Sequence, residues 1–235
     1  MPSRARFRLR MGELVGRSVE VYLANLAPFL LMSAIVLAPG TLLTYVALSS
    51  GSTNAVVLVM VGSILTGFAN LLLIGALTYA VVQKLRGEPM HAAEVLSIGV
   101  RSLLRVLLVG IFAGIFIGVG MFFLIVPGLI LMTWFYMAVP AAVVERIGLD
   151  AMGRSRTLSE GNRWQIFGAV LLQLLVYHGL SWLVTQMTGE MGMAVFLLQF
   201  AVEVALVPLF VAMGATCYFM LRVGKEHVDP SKIGR

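Results

Sequence analysis

Two ionisable side chains, His178 and Glu203, lie deep within apolar stretches of the sequence. Ionisable groups are costly in the hydrocarbon layer of a membrane and are often retained there for proton transfer or ligand binding. A hairpin centred on the short loop at Glu190-Met191 would place the two side chains at the same depth. Gln199 precedes Glu203 by four residues and shares its helical face. We predict an intramembrane polar cluster of His178, Gln199 and Glu203, which either exchanges a proton or only clamps two helices together.

Several arginines and one tryptophan stand just before apolar stretches, where membrane helices meet the lipid headgroups. A basic residue near the surface attracts anionic lipid with about 1 kcal/mol, and tryptophan favours the same interfacial layer. These side chains either recognise anionic headgroups or only anchor the helices and fix their orientation. The candidate headgroup contacts are Arg17, Arg101, Arg154, Arg156, Arg163 and Trp164.

The composition requires a membrane to position these side chains. Of the 235 residues, 60% are hydrophobic and 12% are charged, and the mean hydropathy is +0.96. A soluble core cannot hold this excess, and no polar stretch is long enough for a sizeable catalytic domain outside the bilayer. A crossing needs about 20 apolar residues. The six predicted spans are Ala27–Leu48, Ala55–Val82, Val106–Val126, Leu129–Val144, Ile166–Met187 and Met193–Leu221.

The lysines and arginines all fall on one side of this topology. The 17 basic residues precede the first span, follow the sixth, or lie in the loops after the second and fourth. The positive-inside rule therefore predicts that both termini and both long loops lie in the cytoplasm. Pro127-Gly128 is the predicted tip of the central hairpin, because proline suits the first turn of a helix and glycine suits a tight reversal. A shallow re-entrant hairpin is the alternative.

A short pattern recurs before three pairs of spans. Gly16-Arg17-Ser18 and Gly153-Arg154-Ser155 are each followed after six residues by asparagine, and Gly99-Val100-Arg101-Ser102 is a weaker copy. We predict an all-α polytopic membrane protein in which six transmembrane helices form three hairpins, each preceded by a cytoplasmic interfacial amphipathic helix. The single domain, residues 1–235, divides into segments 1–26 (basic N-terminus and interfacial helix), 27–82 (hairpin), 83–144 and 145–221 (interfacial segment and hairpin each) and 222–235 (basic tail).

The most distinctive part of the sequence surrounds the third copy of this pattern. It contains Val126-Pro127-Gly128-Leu129, Pro140, Asp150-Ala151-Met152-Gly153-Arg154-Ser155, Leu158, Gly161, Asn162, Arg163 and Trp164. This segment resembles the six-span membrane domain attached to some glycerophosphodiester phosphodiesterases, and its stand-alone YciC-like prokaryotic relatives. The resemblance implies the fold and a bacterial or archaeal cytoplasmic membrane. It implies no phosphodiesterase activity, because the chemistry of that family lies in a separate catalytic domain.

Motifs of soluble enzymes are missing from the sequence. There is no phosphate-cradling glycine loop, HExxH, CxxC or serine nucleophile elbow, and Cys217 is the single cysteine. We therefore expect a non-catalytic protein that organises or senses membrane lipid or acts as an accessory subunit, with no cofactor, no metal and no nucleic-acid partner. Its expected partners are membrane lipids, anionic ones included, and a partner protein or second copy. The alternative is a small proton-coupled transporter or lipid exporter using His178 and Glu203, and an intramembrane enzyme acting on lipid is the third choice.

Overall fold

A computed structural model describes residues 7–51, 54–188 and 192–234 of the chain. The predicted loop centre at Glu190-Met191 and the first six residues of the basic N-terminus lie outside these residues. The described residues are 86% helical and contain no strand. The helices are α1 (Met11–Ala24), α2 (Leu26–Ser49), α3 (Ala55–Leu85), α4 (Ala92–Phe123), α5 (Ile125–Phe135), α6 (Ala138–Val144), α7 (Asp150–Ser159), α8 (Arg163–Thr188) and α9 (Gly192–Glu226), followed by a 3₁₀ turn at Pro230–Lys232.

Within the described residues, six helical segments are long and apolar enough to cross a membrane, which confirms the predicted all-α, multi-pass class. They are α2, α3, α4, the consecutive pair α5 and α6, α8 and α9. Several exceed the length that a bilayer needs. At about 1.5 Å per residue, the 35 residues of α9 extend about 52 Å, well beyond a hydrocarbon core of about 30 Å.

The tip of the central hairpin lies three residues before the predicted one. Helix α4 ends at Phe123, Leu124 is extended, and α5 begins at Ile125, so that Pro127 occupies the first turn of α5. The two helices then approach closely, because a Cβ added at Gly120 would lie only 3.1 Å from the Cα atom of Gly128. The proline is tolerated because a first-turn residue needs no intrahelical N–H donor. Gly128 therefore allows α4 and α5 to pack closely next to the turn, and the turn itself is formed by the extended residue Leu124.

Two of the three short helices predicted before the hairpins are separate elements. Helix α1 ends at Ala24, just before Asn25, and α7 ends before Gly161, whose φ of +79° reverses the chain into α8. The segment before the central hairpin differs, because residues 92–123 form one uninterrupted helix that includes Arg101. The weaker copy lacks the asparagine that follows the other two. The prediction of a separate helix there was wrong.

The fourth span is broken in its middle, between α5 and α6. The hydroxyl of Ser155 in α7 donates to the carbonyl of Trp134 at 2.6 Å and accepts from the backbone N–H of Met137 at 3.1 Å. Backbone groups that lose their helical partners at a break must find others when they are buried. Ser155, from the Gly-Arg-Ser pattern, thus completes the hydrogen bonding of the interrupted span.

The buried core is concentrated in one half of the molecule. We call residues 73–99, 137–162 and 206–224 the packed half, since most of the buried apolar side chains lie there. We call the described residues within 40–68, 111–130 and 171–198 the apolar half, since most of the exposed large apolar side chains lie there. An exposed apolar surface of this extent is compatible only with a lipid or protein cover.

Candidate lipid-binding groove

The three residues of the predicted polar cluster do not meet in the structure. Gln199 donates through its Nε2 to the carbonyl of Ser181 at 3.1 Å, whereas Glu203 accepts from the Nδ2 of Asn70 in α3 at 3.1 Å. His178 is exposed on α8. Among the hydrogen bonds of the described residues, none joins His178 to Gln199 or Glu203.

The predicted cluster does not form because its side chains point in different directions, and not because they lie at different depths. The contact of Gln199 with Ser181 shows that α8 and α9 pack antiparallel in the predicted register. Helix α9 also borders α3, and Glu203 turns towards Asn70 there. The only sign of this partner in the sequence is that Asn70 is an isolated asparagine in a long apolar stretch.

Two of the predicted headgroup residues instead converge on Trp134 near the end of α5. The guanidinium carbon of Arg156 lies 4.6 Å from the centroid of the Trp134 ring, and that of Arg163 lies 5.1 Å from it. The reversal at Gly161 brings Arg163, at the start of α8, back to the same ring that α7 reaches through Arg156. Nothing in the sequence marks Trp134 as the partner of these arginines, because the tryptophan precedes them by more than 20 residues.

An apolar groove of about 480 Å³ runs from this cluster between α5 and α8. Arg163 and Trp134 lie at one end of the groove, and Val126, eight residues before Trp134, lies towards the other. Trp164 is 82% exposed and meets Phe167 edge to face, with 6.1 Å between ring centroids. The groove is lined by Val126, Leu129, Ile130, Thr133, Trp134, Arg163, Trp164 and Phe167.

The charged end of the groove has hydrogen-bond donors without acceptors. The indole Nε1 of Trp134 and the Nε of Arg163 are buried and have no hydrogen-bond partner within the described part of the chain. The carboxylate nearest to Arg163 is that of Glu160, at 4.0 Å and largely exposed, so it neutralises the guanidinium weakly. A buried donor without a partner costs about 1–3 kcal/mol. An oxyanion at this end would accept these bonds, and an apolar chain attached to it would fit the groove.

The other predicted headgroup residues lie elsewhere. Arg17 is exposed on α1 and lines a cavity with Lys84, whereas Arg101 lines a different cavity with Arg105 and Arg146. Arg154 lies in neither place, because its side chain is held in an ion network. Thus Arg163 and Trp164 line the groove and Arg156 contacts Trp134 at its end, whereas Arg17, Arg101 and Arg154 lie elsewhere.

The network around Arg154 joins three helical segments of the packed half. Arg154 donates to Glu145 after α6 at 2.9 Å and to Glu226 at the end of α9 at 2.7 Å. Arg222 also donates to Glu145, and the Nε of Arg222 lies 2.8 Å from Glu226. Tyr218 donates its hydroxyl to Glu145 at 2.8 Å. Two carboxylates therefore balance two guanidiniums.

Electrostatics explains why Glu145 stays ionised there. Burial by itself would raise the pKa of the Glu145 carboxyl, but the hydrogen bonds from Arg154 and Tyr218, together with the nearby guanidinium charges, hold the pKa below its ordinary value of 4.5. The hydrogen bond to Glu226 raises the pKa of Arg154 further above its already high value. The spacing of Asp150 and Arg154 suggests an i,i+4 pair, but the ion pairs among described residues connect Arg154 to acids 9 and 72 positions away. Such distant partners leave no local signal in the sequence.

No known protein family, characterised protein or solved structure matches the chain significantly. The fold and the apolar surface define its class as an all-α, multi-pass membrane protein with six candidate spans.

Proposed function

We propose that this chain is a non-catalytic protein of a prokaryotic cytoplasmic membrane that binds anionic phospholipid and thereby organises or senses membrane lipid. The observation that carries this proposal is the pair of guanidiniums of Arg156 and Arg163 on Trp134, at one end of the apolar groove. The resemblance of the segment 126–167 to the six-span domain is consistent with it. Both termini lie in the cytoplasm under this proposal, since the basic residues then obey the positive-inside rule.

The chemistry of the groove fits an amphiphile with an anionic head. Guanidinium donates two parallel hydrogen bonds to a phosphate, and such charge-assisted bonds are about twice as strong as neutral ones. Stacking on Trp134 fixes both guanidiniums before the ligand arrives and contributes about 0.5–1 kcal/mol at an exposed site. The acyl chain of the lipid lies against Ile130 and Phe167, along the apolar walls.

Native mass spectrometry of protein released from nanodiscs of mixed zwitterionic and anionic phospholipid tests this function. Wild type should retain anionic lipid in preference, and Arg156→Gln and Arg163→Gln should each lose most of that preference. Trp134→Phe should weaken it as well, because the ring stays and the indole N–H disappears. Arg8→Gln is the matched control, since Arg8 is exposed before α1 and does not line the groove.

Equal retention of both lipid classes by wild type would disprove selective lipid binding. Retention that is selective but unchanged in both groove variants would disprove the groove as its site. Recovery of a co-purifying protein in place of lipid would favour the accessory-subunit role.

A second candidate function, transport, is favoured by an intramembrane cavity next to the break in the fourth span. The cavity has a volume of about 350 Å³ and borders α4, α5, α8 and α9. Within it, Gln173 donates to the Tyr136 hydroxyl at 2.9 Å. Discontinuous helices often form the substrate sites of transporters. The cavity replaces the His178–Glu203 pair as the candidate pathway.

Proteoliposomes containing a fluorescent phosphatidylglycerol test transport of lipid. A transporter should move the probe between leaflets faster under an imposed proton gradient, and Gln173→Leu should slow this movement. Movement no faster than in protein-free liposomes would exclude lipid export.

A further inference from the structure

Another cavity, at the edge of the packed half, is walled by three arginines. Its volume is about 330 Å³, and it lies between the start of α4, the end of α3 and the turn after α6. Arg101 and Arg105 line it from α4, and Arg146 lines it from the turn. None of the residues that line the groove at Trp134 lines this cavity.

The three guanidiniums of this cavity have no carboxylate partner among the described residues, whereas four other arginines have one. Arg86, Arg154, Arg163 and Arg222 each lie within 4.0 Å of a carboxylate oxygen. Among the ion pairs of the described residues, none includes Arg101, Arg105 or Arg146.

One acid, Glu94, also lines the cavity, but it is engaged by other donors. Its Oε1 accepts from the hydroxyl of Tyr79 at 3.0 Å and from the Nε2 of Gln83 at 3.5 Å. The wall therefore carries three positive charges and one negative charge. Like charges around one cavity repel each other, and an anion between them converts the repulsion into attraction.

The geometry of the arginines favours a defined site over a diffuse basic surface. Arg105 donates one N–H to the carbonyl of Arg101 at 3.3 Å, which holds its side chain along α4. Arg146 has a φ of +56°, in the left-handed region that non-glycine residues rarely adopt. Glycine would occupy this position without strain. The preceding residue, Glu145, has its carboxylate bound in the ion network.

We propose that this cavity binds a phosphate-type oxyanion through Arg101, Arg105 and Arg146. Arginine suits this ligand because its planar fork of donors matches phosphate oxygens. The oxyanion is either a soluble phosphate compound from the cytoplasm or the phosphomonoester headgroup of a lipid. This site is separate from the groove of the proposed function, and either one can bind without the other.

Thermal unfolding in nanodiscs of pure phosphatidylcholine tests the soluble source. Inorganic phosphate should raise the Tm of wild type more than sodium chloride does at equal ionic strength. Arg101→Gln and Arg105→Gln should weaken the phosphate affinity about tenfold or more, as expected for loss of a charge-assisted hydrogen bond. Arg146→Gly should weaken it as much without lowering the Tm of the free protein, because glycine relieves the backbone strain. Arg8→Gln should bind phosphate as wild type does.

Nanodiscs that contain phosphatidic acid test the lipid source with the same variants. A rise in Tm that needs phosphatidic acid, is absent with inorganic phosphate and is lost in the three variants would identify a lipid headgroup as the ligand. A rise with inorganic phosphate that Arg163→Gln leaves intact would support a soluble ligand bound apart from the groove. Equal effects of phosphate and chloride together with no effect of phosphatidic acid, or variants that respond as wild type does, would overturn the proposal.

Discussion

The packed half and the apolar half of this protein are held together by different interactions. In the packed half, α6 is buried on nearly all sides, and the ion network of Glu145 ties it to α7 and α9. In the apolar half, large apolar side chains such as Ile64 and Phe116 are exposed, and the hydrogen bond between Asn70 and Glu203 lies at its edge. Burial of side chains organises the first half. It cannot organise the second, because lipid tails solvate leucine as well as a protein core does.

Close backbone contact replaces side-chain burial in the apolar half. Helices α2 and α3 cross where Gly40 faces Thr66 and Gly62 faces Thr44. A Cβ added at Gly40 would lie 2.6 Å from the backbone nitrogen of Thr66, and one at Gly62 would lie 2.9 Å from that of Thr44. Each glycine precedes a threonine by four residues, which is the spacing of small residues at membrane helix contacts.

Leucine truncation in one helix should show the largest difference between the halves. Leu77 of α3 is fully buried in the packed half, and Leu65 of the same helix is 42% exposed in the apolar half. Leu77→Ala should lower the free energy of unfolding by about 3 kcal/mol, because it leaves a cavity. Leu65→Ala should change it by less than about 0.5 kcal/mol. Unfolding in nanodiscs measures both variants. Similar losses would mean that protein, and not lipid, covers Leu65.

Disruption of the ion network should have the next largest effect on the free energy of unfolding. Glu145→Ala leaves the guanidiniums of Arg154 and Arg222 without their shared carboxylate, and each of these arginines is mostly buried. Removing one partner of a fully buried pair costs about 3–5 kcal/mol, and partial exposure reduces our expectation to about 2 kcal/mol. Glu160→Ala is the control, since its contact with Arg163 is long and exposed. A loss no greater in Glu145→Ala than in the control would show that the network adds no stability.

A single methyl group added where α2 and α3 cross should lower the stability of the protein. Gly40→Ala should lower the stability by about 1.5 kcal/mol, because the new Cβ meets the backbone of α3 and the helices must separate. Gly67→Ala is the matched control, since the space around Gly67 is open and alanine favours a helix by up to about 1 kcal/mol. Thermal unfolding of both variants measures the difference in stability. If Gly40→Ala is as stable as Gly67→Ala, close packing is not what holds the apolar half.

The sequence predicts the apolar half better than the packed half. Length, hydropathy and charge locate all six spans, because each of these signals is local. The break in the fourth span is not predicted, since it depends on Ser155, which is 18 residues from Met137. The two asparagines of the repeat show the same limit. Asn25 bonds to its own helix at Val21, whereas Asn162 bonds across the molecule to the backbone of Leu9.

The candidate site is predictable to a similar extent. Arg156, Arg163 and Trp164 are found from their position before a span, and the structure places them around one groove. Arg154 has the same sequence signal and a different environment, because Glu145 and Glu226 reach it from distant elements. The position of a residue relative to the spans can therefore be predicted from the sequence. The side chain that it contacts cannot, because that depends on how the helices rotate and pack.

Acid pH should have the smallest of these effects on stability, and it should act on the packed half through Glu145. The lowered pKa of Glu145 means that its ionised form is favoured by folding, so the network stabilises the protein above the ordinary pKa of 4.5 and loses this contribution as the pH falls through the lower folded value. The effect should be smaller than that of Glu145→Ala, since protonation leaves the side chain in place. Wild-type Tm in nanodiscs should fall as the pH is lowered below 4.5, and Glu145→Gln should show a shallower dependence over the same range. Parallel curves for the two proteins would assign the acid sensitivity to other carboxylates, and Glu160→Gln, which should follow wild type, controls for the removal of one charge.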